Sequence, residues 1–328
     1  MSLLPKGISV IICCYNSATR LPATLQHLAD QQVPDNIHWE IILVNNASTD
    51  DTETVAYQEW KRLGQPVPIR IIYEAQPGID KARRAGAHLA AYCWIVFCDD
   101  DNWLYPDYIT SAFHLLKKNP DIGLIGGQGE PVADVQIPDW FEALSGHYAA
   151  CSLGNVKIDL TNHGIWGAGM SGQTTLLKHA MHPSHPLLNP GRMGSNTAFG
   201  DDGEICMRVA LQGYRIVYSP ELKYKHYIPQ QRLTESYRDA LLQQERNQAE
   251  VMATYHRMLR WINEPYWKKL LISFFHLYKF IFMSFSGKKL RLSFSKDYLY
   301  FSVRWKLFET SYNKHVWLYH KSLKDLCL

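Results

Sequence analysis

The chain has 328 residues, of which 46% are hydrophobic and 20% charged, and a formal net charge of +3. That length allows one large domain with an appendage, or two domains. No low-complexity tract and no internal repeat is visible, which excludes collagen-like, disordered and solenoid classes.

The first half alternates two periods. Ile8 to Cys14 is a β-branched apolar run, and Leu21, Leu25 and Leu28 then recur at helical spacing. A second strand is expected over 41–44. Ser48-Thr49-Asp50-Asp51 offers capping chemistry for a helix over 51–63. A third strand over 69–73 and a helix over 79–91, entered through Gly78, lead to a fourth strand over 94–98. Such alternation predicts a mainly parallel sheet with helices on both faces. Ligands bind at the carboxyl ends of the strands in such sheets, and Asn16, Asn45, Asn46 and Asp99 to Asp101 all fall there.

The strand Trp94-Ile95-Val96-Phe97-Cys98 runs straight into Asp99-Asp100-Asp101-Asn102. Three carboxylates at the edge of a core call for a positive partner. Mg²⁺ or Mn²⁺ on oxygen ligands supplies one, usually together with a phosphate-bearing substrate. A solvated acidic turn fits the same residues.

Beyond residue 120 the pattern loosens. A strand fits 122–127, a short helix 139–144, and a Gly-rich segment with Trp166 occupies 165–173. The stretch 181–201 is rich in Pro, Gly, Asn and Ser and reads as loop. A helix over 203–211 stopped by Gly213, a strand over 215–218 and a long polar helix over 234–255 follow. Seven cysteines (13, 14, 93, 98, 151, 206 and 327) show no CxxC pair, so buried free thiols in a reducing compartment are expected. No basic-plus-apolar leader precedes the first strand, and a cytoplasmic location is expected.

Five segments together resemble family 2 glycosyltransferases of the GT-A fold. They are Ser9-Val10-Ile11-Ile12-Cys13-Cys14-Tyr15-Asn16, then Val44-Asn45-Asn46-Ala47-Ser48-Thr49-Asp50, then Asp99-Asp100-Asp101. Trp166-Gly167-Ala168-Gly169-Met170 follows, and then Gly200-Asp201-Asp202-Gly203-Glu204 leading to Arg208 and Gly213. The resemblance covers roughly residues 7–235, and it is the order of the motifs that carries it. It implies an α/β, Rossmann-like, mixed and mainly parallel sheet flanked by helices. A catalytic domain over 1–235 would have its nucleotide-sugar half up to about residue 120, followed by a helical extension over 236–328.

The resemblance further implies a nucleotide-sugar donor, Mn²⁺ or Mg²⁺, and inversion at the anomeric carbon by direct displacement. Cys14, Tyr15, Asn16 and Asn46 fall on the nucleotide side. Asp99 would face the ribose and Asp101 the metal, with Asp100 behind them or serving the turn. Asp202 takes the position of the catalytic base, with Asp201 and Glu204 as alternatives; helix capping is the competing reading for this acidic pair. His226 matches a histidine that reaches the metal or the diphosphate. Arg83 takes an arginine position near the diphosphate or the metal-binding acids, and Arg84 stands where asparagine is usual. Trp166 would stack on the acceptor sugar, with Gly167 allowing close backbone approach.

Two departures bear on specificity. Asn45-Asn46 replaces aspartates that accept from the base, and an amide donates as well as accepts. Uracil or thymine stays favoured, with guanine as competitor. The nearest approach to the Gln-x-x-Arg-Trp motif of processive synthases, Arg257-Met258-Leu259-Arg260-Trp261, lacks the glutamine. A single addition to a glycan or lipid-linked acceptor is therefore expected. The alternatives are a nucleotidyltransferase, which would need a Gly-rich loop that Cys14-Tyr15-Asn16-Ser17-Ala18 does not provide, and a catalytically silent GT-A scaffold.

Residues 265–328 carry twelve Lys or Arg against three acids, so the preceding chain is net acidic. Within this tail, 270–285 is rich in Phe but short of the roughly 20 apolar residues a span needs. An interfacial anchor on an anionic membrane surface and a packed helical subdomain or homodimer contact both fit. No nucleic-acid module accompanies the basic residues, and no nucleic-acid partner is expected.

Overall fold

The computed structural model describes residues 4–189, 191–193, 200–285, 292–304 and 306–324. Lys288, Lys289, Arg291, Cys327 and, within the loop expected over 181–201, residues 190 and 194–199 lie outside the described residues, as do the side chains of Phe280, Phe282 and Phe285.

Among the described residues, nine strands form one sheet. Four of them, β1 (Ile8–Cys14), β2 (Trp39–Asn46), β3 (Ile69–Glu74) and β4 (Trp94–Asp99), are mutually parallel in the order β3-β2-β1-β4. The sheet continues through β8 (Ser171–Gln173), β6 (Ile122–Val132), β9 (Arg215–Tyr227) and β5 (Asn102–Leu104), with β7 (Ile158–Asp159) beside β9. Strand β8 is antiparallel to β4 and β6, and β5 is antiparallel to β9, so the sheet is mixed. β1 and β2 are buried throughout, which is why they read as unbroken apolar runs.

Helices α1 (Leu21–Ala29), α2 (Thr52–Arg62) and α3 (Ile79–Leu89) make the crossovers. Gly86 lets α3 lie close on the sheet, because a Cβ there would come within 2.4 Å of Ile11 Cγ2. One core joins Leu21, Leu25 and Leu28 to Ile8, Val10, Ile12, Ile41, Leu43 and Val96. Each such side chain contributes roughly 1.5–3 kcal/mol by leaving water.

Several elements depart from expectation. Helix α4 (Tyr108–Lys118) and the short α5 (Thr174–Ala180) were not expected. Helix α6 (Asp201–Leu211) starts two residues early, which puts Asp201 and Asp202 in its first turn. Strand β9 runs on through Pro220 to Tyr227. The proline is tolerated because the pairing jumps from Gly126–Tyr218 to Gln128–Lys223, which places Pro220 inside a β9 bulge and outside the ladder. Gly127 sits there because a Cβ would come within 1.9 Å of the Leu222 carbonyl oxygen.

The chain divides into two compact units: residues 1–182 with 189–246, and residues 183–188 with 247–328. The boundary falls inside α7 (Glu235–Asn263), beyond the expected limit at 235. The second unit also holds α8 (Tyr266–Phe285), α9 (Leu292–Val303) and α10 (Ser311–Lys324). At its centre the Arg257 guanidinium lies 2.5 Å from Asp297, which also accepts from Thr254 and Asn313. Arg257 thus serves packing. No described helix is long and apolar enough to cross a membrane.

Candidate active site

The turn between β4 and β5 sends three consecutive carboxylates in three directions. Asn102 holds the turn itself: its side-chain oxygen accepts the Asp99 N–H at 3.2 Å and its Nδ2 donates to Asp101 Oδ1 at 3.2 Å. Asp99 is the most exposed of the three side chains and faces Arg83 Nη2 at 3.6 Å.

Asp100 points back into the first β–α connection. The Ser17 hydroxyl donates to its carboxylate, Arg20 Nη2 lies 2.6 Å away, and the Thr24 hydroxyl donates to its main-chain oxygen at 2.8 Å. Burial and the neighbouring Asp101 push its carboxyl up, against the pull of Arg20. Its contacts tie the turn to the first β–α connection.

Asp101 is buried, with Arg232 Nη1 3.0 Å from Oδ2 and His226 Nε2 3.5 Å from Oδ1. Burial raises its carboxyl, but His226, Arg232 and Arg192 together outweigh that and hold it well below the usual carboxylate range. His226 sits near the end of β9, where its Nδ1 lies 2.7 Å from the Tyr148 carbonyl oxygen. A carbonyl only accepts, so Nδ1 carries the proton and Nε2 is turned toward Asp101. An imidazole nitrogen and a carboxylate oxygen facing each other suit a proton or a cation between them.

Among the described residues no three His, Cys, Asp or Glu side chains gather into a complete metal centre. One carboxylate with one imidazole does fit Mg²⁺ or Mn²⁺, which keep water and substrate phosphate among their ligands. Arg232 was missed from the sequence. Its only signal is position, six residues past His226 and just beyond the strand end that faces Asp101.

On the opposite side, α6 opens at Gly200, whose φ of 105° starts the turn that presents Asp201 and Asp202. Buried Asp201 lies 2.5 Å from Arg83 Nη1. Burial raises its carboxyl to about 7, with Arg83 pulling down and Asp202 and Asp99 pushing up. Arg83 itself stacks over Phe97 at 5.4 Å. Partly exposed Asp202 accepts the Gly167 N–H at 2.9 Å and the Gly203 N–H at 2.8 Å. These two bonds fix the carboxylate and leave acceptor capacity on both oxygens.

Glu204 does not join this group. It is fully buried in α6, paired to Arg208 at 2.8 Å and accepting the Asn189 N–H at 2.8 Å. An acid so committed cannot take a proton from an incoming hydroxyl, and the structure removes it from the candidates.

Gly167 is where Trp166 hands the chain to the site: a Cβ there would come within 2.3 Å of Arg83 Nη2. Trp166 is partly exposed beside it. At the end of β1, the Cys14 side chain belongs to the apolar core, so only its main chain is offered to a ligand. Tyr15 is exposed. Asn16, with φ 50°, uses its side-chain oxygen to accept the Thr49 N–H at 2.8 Å. Asn46 is a staple: it donates to the Glu74 and Gln76 carbonyls and accepts the Gly78 N–H at 2.8 Å. Asn45 likewise accepts the Ser48 N–H. Arg84, one residue on from Arg83, is partly buried.

The profile of glycosyl transferase family 2 matches residues 9–150, and that of glycosyl transferase family group 2 matches residues 94–312. The Bacillus subtilis protein EpsH is 32% identical over 116 residues, 35% of this chain and 32% of its own length. A poly-beta-1,6-N-acetyl-D-glucosamine synthase of Staphylococcus epidermidis is 27% identical over 122 residues, 37% of this chain and 28% of its own. The chain thus spans about a third of the length of the curated relatives it matches.

Among solved structures, S. aureus TarS 1–349 in complex with UDP-GlcNAc superposes with a TM-score of 0.52 at 14% identity, over 90% of this chain and 73% of that one. The mannosyltransferase PcManGT from Pyrobaculum calidifontis, in complex with GDP-Man and Mn²⁺, gives 0.51 at 18% identity, over 80% and 68%. The mixed, mainly parallel sheet flanked by helices is the GT-A fold of these neighbours.

Proposed function

The chain belongs to glycosyl transferase family group 2, and from that premise we propose that it is an inverting, metal-dependent transferase. It moves one sugar from a nucleotide-sugar donor, UDP-linked, to a hydroxyl of a glycan or lipid-linked acceptor in polysaccharide assembly. The observation that carries the reading is Arg83. One buried guanidinium bridges Asp99, on the strand that carries the acid triplet, to Asp201, beside the base on α6. The donor and acceptor sides of a transfer site are thereby fixed to each other. That neighbouring structures hold UDP-GlcNAc and GDP-Man supports a nucleotide-sugar donor.

Tyr15, with the main chain of Cys14 and Asn16, forms the platform for the nucleotide, and Asn46 shapes its rim through the loop at 74–78. Asp99 faces the ribose. Asp101 and His226 hold Mg²⁺ or Mn²⁺, which when bound supplies Lewis-acid neutralisation of the departing diphosphate. Arg232 and Arg192 add positive charge on the same side. Asp202 takes the proton from the acceptor hydroxyl as its oxygen attacks the anomeric carbon and the bond to the nucleoside diphosphate breaks. Trp166 and Gly167 hold the acceptor so that this weak base suffices.

Thermal unfolding with nucleoside diphosphates and nucleotide sugars, with and without Mn²⁺, tests the reading. A uridine nucleotide is expected to raise the Tm only with the metal, and a chelator to abolish the rise. Asp202→Asn should keep that rise while sugar transfer falls by about 10²–10⁴. No rise with any nucleotide, or an unimpaired Asp202→Asn, would overturn it.

A further inference from the structure

Helices on the surface of a soluble domain turn their apolar stripe inward. Helix α8 does the reverse. Its inward side is polar: Ser273 donates to Ser302 of α9 at 2.8 Å, and His276 lies 3.2 Å from Ser295 and stacks on Tyr298 at 4.7 Å. Lys269 also turns in, with its ammonium 3.2 Å from the Ile262 carbonyl oxygen. Burial, with Lys279 adding, holds His276 down at about 4, so its ring is neutral where it packs.

The outward side is apolar. Trp267, Leu271, Phe274, Phe275, Tyr278 and Ile281 are each at least 50% exposed, with Phe274 and Tyr278 at 68%. At 100° per residue they fall on one arc covering roughly a third of the helix circumference. In water such a face is a liability, and its size and continuity mark an interaction surface.

Charge decides what covers it. The segment 265–328 carries twelve Lys or Arg against three acids. A second copy of so basic a segment would be repelled at close range. An anionic partner would be attracted, and one with an apolar interior would bury the aromatic arc as well. Trp and Tyr beside Lys is the composition that settles at the boundary between lipid head groups and acyl chains. No described helix is long and apolar enough to cross a membrane, so docking through this face would lay the helix along the surface.

We propose that the outward face of α8 docks on an anionic phospholipid surface, with its axis in the plane of the interface. This does not rest on the chemistry assigned to the active site, and it is measured without nucleotide. The full chain is floated with phosphatidylglycerol-rich vesicles and with pure phosphatidylcholine vesicles. It should float with the first and far less with the second, and raised salt should weaken the association. The double variant Leu271→Glu/Phe274→Glu changes two exposed positions and should bind about tenfold or more weakly, the scale of placing charge where rings enter the interface. Phe274→Leu should bind nearly as well as the unmodified chain. Hydrogen exchange on the unmodified chain gives an arm independent of substitution: amides of 266–285 should gain protection with the anionic vesicles. Equal flotation of the double variant, no flotation of the unmodified chain, or a lipid-free dimer that the double variant dissociates would each overturn the proposal.

Discussion

Replacing Arg83 with methionine probes how the active site is held together, since Met fills much of the arginine stem but carries no charge. The guanidinium lies 2.5 Å from Asp201 and 3.6 Å from Asp99, and Arg83 and Asp201 are both almost wholly out of solvent. Removing one partner of a buried pair costs about 3–5 kcal/mol when the other stays ionised. Asp201 has an escape, because burial already raises its pKa to about 7. Arg83 is the main influence pulling that value down, so in Arg83→Met it climbs further. Each tenfold gain in proton affinity is worth about 1.4 kcal/mol.

The sign follows from linkage. A carboxyl whose folded-state pKa lies above its ordinary 3.8 contributes stability that is complete below that value and is lost as pH rises through the folded one. In the unmodified chain the loss ends near pH 7; in the variant it continues above. Near pH 6 Asp201 is protonated in both, and the variant lacks packing, the contact with Phe97 and the guanidinium's contacts to Asp99 and Asp201. Urea unfolding at about pH 6 and about pH 8.5 should show the stability gap widening by about 1–2 kcal/mol at the higher pH. A gap equal at both, or wider at the lower, would refute a titrating Asp201 against Arg83.

Two further substitutions separate packing from chemistry. Glu204→Gln leaves the fully buried Arg208 without its counter-ion and should lower stability by about 3 kcal/mol, while kcat per folded molecule is unchanged; a lost kcat at full stability would return Glu204 to the reacting groups. Gly167→Ala puts a Cβ within 2.3 Å of Arg83 Nη2 and should cost about 1–3 kcal/mol, with the transfer rate falling as Arg83 is pushed from Asp201. Thermal unfolding and initial rates on one preparation check both, and a Gly167→Ala protein unchanged in both would mean that Arg83 yields freely.

The sheet's first half was legible because β1, β2 and β4 are buried on both faces and leave unbroken apolar runs, separated by segments of helical period. β9 reads as ending early because proline interrupts most strands; the bulge of β9 that admits Pro220 packs against Gly127 of β6, far away in sequence. Asp99, Asp101, Asp202, His226 and Arg83 are site candidates through the family resemblance, and the fold brings them to one end of the sheet. Glu204 shows the limit of that method. Its i,i+4 spacing to Arg208 was visible, but whether the pair lies in water or in the core depends on what packs over α6. Cys14 shows the same for a strand, where a motif position says nothing about which face a side chain takes. Asn46 looked like a base-reading group, yet its amide is occupied by a loop some thirty residues on.

The divergence of Asp99, Asp100 and Asp101 also bears on how the protein reaches its native state. Three adjacent like charges repel, and nothing within the turn neutralises them. Their relief comes from Arg83, from Ser17 and Arg20 at separations of 83 and 80 residues, and from Arg232 at 131. Loops of that length close slowly, and their entropy is lost before the contacts are made. These separations predict that the acid turn is among the last parts of the first unit to set, after β1, α3 and β9 have docked. A chain stalled short of that point would hold most of its sheet and none of the Asp101–His226 pairing proposed to hold the metal, so on that proposal a response to Mn²⁺ and nucleotide would report completed folding more sharply than helix content does.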